Sequence, residues 1–286
     1  MTTATGTVAL RRPGMSVGGR LRRISDRYLM FAYTGLAIIY LLLPVAIIIL
    51  FSFNKPTGRR NFVWQQFSLD AWLHPFAVPG IASAVELSLV IAFLSTLVAT
   101  VLGTLMALAL VRYQYRGKGL ANSLVFLPMA TPEIVMGASL LTLYVSIGQP
   151  PFFPLSFTTI LIAHVLFNIS YVVVTVRARL VGFPGHLEEA AMDLGANQWQ
   201  TFWRVTFPLI LPGIIAAALL AFSLSIDDFV ITNFTAGRTQ TFPMFIYAQA
   251  KVGVPVQVYV IGSIIFLVAV LSVGITTIAG RRSAQT

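Results

Sequence analysis

Six apolar windows, near residues 29–52, 81–110, 120–147, 157–176, 207–234 and 257–279, alternate with polar connections along the chain. Each is long enough to cross the roughly 30 Å hydrocarbon core of a bilayer as a helix. Hydrocarbon offers no partner for an unpaired backbone amide, and the windows are too long for barrel strands. The expected fold class is therefore an all-α membrane protein with six transmembrane helices. Pro44, Pro128, Pro132 and Pro212 lie within or beside these windows and predict kinks. One polar stretch, residues 186–208, departs from the pattern by carrying an amphipathic motif between two spans.

Composition agrees with this reading: 57% of residues are hydrophobic and 10% charged, too apolar for a water-soluble globule. The first apolar run begins near Tyr28 and is too long for the core of a signal peptide, so it reads as an uncleaved first span. Cysteine is absent, which removes disulfides, thiol nucleophiles and Cys metal sites.

The net charge of +10 would suit nucleic acid if it lined one face, but the basic residues fall at window ends. No nucleic-acid partner is expected. One side of the membrane would receive Arg11, Arg12, Arg20, Arg22, Arg23, Arg27, Arg112, Arg116, Lys118, Arg177, Arg179, Arg204, Arg281 and Arg282. Only Lys55, Arg59, Arg60, Arg238 and Lys251 fall on the other. The richer side is expected to be cytoplasmic, with both termini inside. Residues 1–27 form a basic tail, expected to be disordered and to contact anionic lipid headgroups. Residues 28–280 form the transmembrane domain, and 281–286 a short second tail. Trp64, Trp72 and Tyr247 on the outer connections are candidate interface anchors.

Within residues 186–208 a short helix is expected over 186–194. Pro184 cannot continue the helix before it, and Glu188 and Glu189 suit an N-terminal dipole. Leu187, Ala190, Ala191 and Leu194 share a face, and Gly195 is a C-cap candidate followed by a turn at Ala196-Asn197. A second amphipathic piece over 198–205 presents Trp199, Phe202 and Trp203, and Pro208 begins the next span. A helix lying on the membrane surface would satisfy the same pattern. The spacing of Glu189-Ala190-Ala191, Gly195 and Val205-Thr206-Phe207-Pro208 resembles the cytoplasmic EAA loop of type I ABC importer permeases. That family more often ends the motif with Ile-x-Leu-Pro. The resemblance implies that Glu189, Ala190, Ala191, Gly195, Val205 and Pro208 dock with an ATPase subunit. It also implies a second permease chain, an extracytoplasmic binding protein and the bacterial inner membrane.

Ionisable groups inside a span are costly and therefore candidates for function. Four carboxylates fall there: Glu86, Glu133, Asp227 and Asp228. At 1.5 Å per residue, Glu86 lies about 8 Å below the outer edge, while Glu133 lies about 20 Å and the Asp pair about 25–30 Å from the inner edge. All four then occupy the outer half, where an acidic aqueous cavity would pass a cation. Other roles remain open. Glu86 would also suit the interface, and Glu133 would also cap amides freed at Pro132. Asp227 and Asp228 point about 100° apart on a helix, so one can line the path while the other caps or contacts the partner permease subunit. No Lys, Arg or His within the spans is an obvious partner for all four, and His164 suits a neutral bond between helices.

Ser225-Ile-Asp-Asp-Phe-Val-Ile-Thr232, then Phe234-x-x-Gly237, Pro243-Met244 and Lys251-Val-Gly-Val254 look like spermidine/putrescine permease subunits. So do Pro132-Glu133-Ile-Val-Met-Gly137 with Ser139-Leu140-Leu141, and Val111-Arg112-Tyr113. The implied cargo, a flexible polycation, suits an acidic path and aromatics such as Tyr144, Phe222 and Phe229. Gly117-Lys118-Gly119 lacks the upstream glycine and hydroxyl residue of a phosphate-binding loop. The chain is thus expected to be a transport subunit, not an enzyme, with no cofactor of its own; ATP and Mg would be bound by the partner ATPase. The alternatives are an importer of another solute, such as ferric ion, sulfate or phosphonate, and a proton-coupled secondary transporter.

Overall fold

A computed structural model describes residues 17–58, 60–147, 154–182 and 185–283, with side chains described from residue 28 to residue 271. All regular secondary structure among the described residues is helical, apart from an isolated antiparallel bridge between Asn54 and Phe67. Helix α1 spans Val17–Phe51, α2 Asp70–Leu73, α3 Ile81–Arg112, α4 Lys118–Ala130, α5 Glu133–Ile147 and α6 Phe157–Val181. Helices α7 His186–Asp193 and α8 Gln198–Thr201 follow, then a π-helical turn Phe202–Thr206. The chain ends with α9 Phe207–Asp227, α10 Val230–Thr235, α11 Phe242–Ala250 and α12 Val256–Ser283.

Four helical stretches are long and apolar enough to cross a membrane: Tyr28–Phe51, Ile81–Arg112, Phe157–Val181 and Gln198–Asp227. The third expected span, 120–147, is not straight. It is the pair α4 and α5, bent by 108°. Pro132 supplies no amide hydrogen and its ring would strike the carbonyl four residues earlier, so Thr131 before it turns extended at φ −83°, ψ 130°. The fifth expected span, 207–234, likewise stops at Asp227 and restarts as α10. The last, 257–279, lies within α12, which is predominantly apolar over Val256–Leu271.

Helix α1 begins at Val17, so the backbone of residues 17–27 is helical where a disordered tail was expected. The expectations for residues 1–16, Arg59, Pro184 and 284–286 lie outside the described residues, as do those for the side chains of Arg281 and Arg282.

The core forms where α3, α6 and α9 meet, through Ala99, Ala107, Val172, Val173, Val176, Ala217 and Ala221. Small residues allow this close approach: a Cβ on Gly103 would lie 2.8 Å from Cβ of Val172. Helix α5 packs on α10 in the same way, with Gly137 under the Phe234 ring.

Between α1 and α3 the chain folds into a cap rather than a loose connection. Asn54 donates to Asn61 Oδ1 at 2.6 Å and to the Val63 carbonyl at 2.9 Å, and accepts from the amide of Gln65 at 2.8 Å. Trp72, a candidate interface anchor, stacks on Phe53 at 5.1 Å and donates to Ser52 Oγ at 3.2 Å.

Candidate functional site

Two regions gather the residues singled out by the sequence, and α9 links them. The first is the loop of residues 186–208. Helix α7 ends in a Schellman motif: the Gly195 amide donates to Met192 O at 2.9 Å and the Ala196 amide to Ala191 O at 3.1 Å. Gly195 takes φ +88°, a region closed to most side chains, yet a Cβ there would meet nothing within 4 Å. The glycine is therefore required by backbone geometry and sits at an open surface. Around it Glu189 and Ala190 are exposed, Ala191 is half-buried, and Leu194 is 90% exposed.

Asn197 then opens α8 with a capping box: its Oδ1 accepts from the Gln200 amide at 2.9 Å, and Gln200 Oε1 accepts from the Asn197 amide at 3.1 Å. The second amphipathic piece does not end before Pro208. Helix is continuous over Gln198–Asp227, passing through Pro208 by the π turn, in which the Phe207 amide donates to Phe202 O. A proline at 208 supplies no donor for the carbonyl at 204, and the wider turn accommodates the missing bond and the ring. Val205 is half-buried in this turn and Pro208 is exposed. Trp203 meets Trp199, Phe202 and Phe207 at 5.6, 5.2 and 4.9 Å, an aromatic cluster with Trp199 70% exposed.

A contact across the fold, without a local signal in the sequence, ties this loop down. Glu188 pairs with Arg112, the last residue of α3, and accepts from the hydroxyl of Thr206 in the π turn. Arg112 also donates to Thr206 Oγ1 at 3.2 Å. A cleft of about 550 Å³ opens beside them, lined by Tyr113, Met192, Trp199 and Phe202 among others. Spacing alone offered no signal for this pairing, since Arg112 and Glu188 are 76 residues apart.

The second region is the break after α9. Asp227, its last residue, is exposed, while the Asp228 side chain is only 5% exposed. Asp228 Oδ2 accepts from the amide and hydroxyl of Thr232 at 2.8 and 2.7 Å, and Oδ1 from the amide of Ile231 at 3.3 Å, which caps α10. His164 Nε2 lies 3.3 Å from the same carboxylate and 2.9 Å from Thr232 Oγ1. Its Nδ1 meets Ser225 Oγ at 2.6 Å, and Ser225 meets Ser95 Oγ at 3.0 Å. His164 thus bonds between helices as expected, and it is also the partner for Asp228 that the sequence did not reveal. Of the two aspartates one is turned inward as a cap and the other is left exposed.

Glu133 is exposed at the first residue of α5, the helix that packs on α10. Glu86 is exposed on the second turn of α3. Among the described residues neither of these, nor Asp227, has an ion-pair partner. The candidate aromatics are mostly packed: Tyr144 donates to the Thr159 carbonyl at 3.2 Å, and Phe229 lies 4.6 Å from the Tyr247 ring. No cluster of metal-ligating side chains occurs among the described residues.

The site thus combines a loop tied to two core helices with a capped helix break. The family model described as "Binding-protein-dependent transport system inner membrane component" matches residues 99–284, which include both regions. The chain belongs to this family. It is thus a multi-pass permease component of the bacterial inner membrane. The spermidine/putrescine transport system permease protein PotC of Haemophilus influenzae is 34% identical, covering 91% of this permease and 99% of the relative. PotC of Escherichia coli K12 is 36% identical over 82% of this chain and 87% of that one. The putrescine transport system permease protein PotI of the same strain is 35% identical over 79% and 81%.

Among solved structures, a bacterial ABC transporter involved in the import of the acidic polysaccharide alginate aligns with a TM-score of 0.62 at 18% identity. That alignment covers 93% of this permease and 98% of the other chain. An amino acid ABC transporter aligns with a TM-score of 0.56 at 18% identity, over 76% of this permease and all of that chain. These two likenesses concern the fold alone.

Proposed function

We propose that this permease imports a polyamine, spermidine or putrescine, as one of two transmembrane subunits driven by a pair of ATPases and loaded by an extracytoplasmic binding protein. The observation that carries the cargo is the identity of 34–36% to permeases named for spermidine and putrescine, spread over most of the chain. Exposed carboxylates at Glu86, Glu133 and Asp227 are chemically suited to a flexible polycation, and Asp228 fixes the backbone that presents Asp227. A path for an anion would not be lined by carboxylates.

In this reading the chain crosses the membrane six times with both termini inside, which puts residues 186–208 on the cytoplasmic face within reach of an ATPase. Glu189, Ala190, Ala191 and Gly195 form the docking surface, while Val205 and Pro208 join it to α9. ATP-driven closure of the ATPases moves the loop, and the spans open alternately to each side. ATP and Mg are held by the ATPase, so the permease needs no cofactor of its own.

The test is uptake of labelled spermidine and putrescine in cells that lack other polyamine importers and carry the complete transporter. Uptake should survive a protonophore and stop on ATP depletion. The opposite pattern would overturn the reading in favour of a proton-coupled transporter.

A further inference from the structure

The bond made by Arg112, Glu188 and Thr206 joins three elements that are remote in sequence. Arg112 closes α3, Glu188 lies in the first turn of α7, and Thr206 is fully buried in the π turn leading into α9. The charges are placed where helix dipoles favour them, a cation at the C-terminus of α3 and an anion at the N-terminus of α7. The two side chains are 33% and 23% exposed, so water screens the pair only in part. The π turn takes part as well: one extra residue per turn changes which residue faces α3, and here it is the Thr206 hydroxyl that faces both charges.

The consequence is mechanical. Helix α9 is joined to the loop by its own backbone, whereas α3 meets α7 only through this bond among the interactions described at the loop. At the other end, about 25 Å along α3, Ser95 meets Ser225 of α9, next to the break that exposes Asp227. Helices α3 and α9, already packed in the core, are thus also joined by polar contacts at the loop and beside the acidic break.

We propose that Arg112, Glu188 and Thr206 are positioning residues that make α3 move with α7 and α9 when the ATPase displaces the loop. This rests on the importer reading above and adds a route for the force that the backbone alone does not supply. Without the bond among these three residues, motion of α7 reaches α3 only through the packing of α9 against it, and α3 follows the loop less closely.

The test uses the complete transporter in lipid vesicles with its binding protein, comparing Arg112→Gln, Glu188→Gln, Thr206→Val and the exchanged pair Arg112→Glu with Glu188→Arg. Each single change should lower ATP-driven polyamine uptake by at least about fivefold, the scale of a typical coupling free energy. ATP hydrolysis should continue but lose its stimulation by loaded binding protein. The exchanged pair should recover part of the uptake, because a hydroxyl both donates and accepts and so serves either charge order, while each charge then opposes its helix dipole. Single variants within twofold of the unaltered transporter would overturn the proposal. So would an exchanged pair that assembles fully yet transports no better than the singles. Should a charge variant fail to assemble, Thr206→Val, which keeps the volume, decides by the same two readouts. An unaltered transporter that shows no ATP-driven polyamine uptake would refute the importer reading instead, so the two failures are distinct.

Discussion

At the end of α9 that adjoins the loop, helix continues through a proline by widening into a π turn; at the far end it stops at Asp227 and restarts at Val230. Both irregularities free backbone groups, but they resolve the cost differently. The π turn keeps a hydrogen bond from Phe207 to Phe202 and leaves an exposed, aromatic-rich surface beside Gly195. The break spends a buried carboxylate on the freed amides of α10 and surrounds it with His164, Thr232 and Ser225. A continuous helix transmits displacement along its axis, whereas a capped break fixes local geometry while allowing the chain to change direction. In the proposed importer, motion would enter at one end and a carboxylate be presented at the other.

The sharpest way to break this contrast is at Gly195. We predict that Gly195→Asp abolishes ATP-driven uptake while the transporter still assembles. The left-handed backbone costs a non-glycine residue about 1–2 kcal/mol, too little to unfold the permease, and the new side chain would project into the open space proposed to receive the ATPase. Normal uptake by the assembled variant would remove the loop from the coupling route.

Next in size is the aspartate pair, which should divide by role. Asp227→Asn is expected to raise the apparent KM for polyamine about tenfold with unchanged thermal stability, the loss of roughly 1.4 kcal/mol of attraction. Asp228→Ala should lower stability by about 1–3 kcal/mol, since it removes a cap and leaves His164 with a lost partner. Equal effects of the two changes on KM and on thermal unfolding would erase the distinction drawn here.

Pro208→Ala probes the other irregularity. Without the proline, an ordinary α turn can replace the π turn, which shifts the register by one residue, about 100° around the axis, and carries Thr206 away from Arg112 and Glu188. Uptake should fall several-fold with the helix content intact by circular dichroism, and unchanged uptake would mean that the π turn has no part in coupling. The smallest effect is expected for Asn197→Ala. It removes the capping box at a cost of about 1 kcal/mol in the loop, and uptake should stay within about twofold. A complete loss of transport would show that the α8 cap matters more than the Gly195 surface.

Much of the loop was legible in the sequence because its determinants are local. Gly195 follows a helix-sized amphipathic segment, and backbone geometry demands glycine there whatever surrounds it. The apolar windows were legible for the same reason, since length and hydrophobicity are properties of a segment. The bend at Pro132 and the break at Asp228 show the limit. Both were read as parts of single spans, because a proline marks a site of possible distortion while neighbouring helices decide its angle. Helix α5 is held by α10 and α10 by its Asp228 cap, contacts that no window of sequence contains.

Sequence by itself determined that this chain lies in a membrane, that residues 186–208 form a polar, helix-forming stretch between two spans, and that four carboxylates are costly enough to need a reason. Only the tertiary structure decided which carboxylate is buried, because Asp227 and Asp228 are chemically identical neighbours. Their difference arises from His164 and Thr232, brought to one side of the break by the packing of α6 against α9 and α10. The same holds for Arg112 and Glu188: local rules place each charge at a helix end, and only the folded chain places the two ends together.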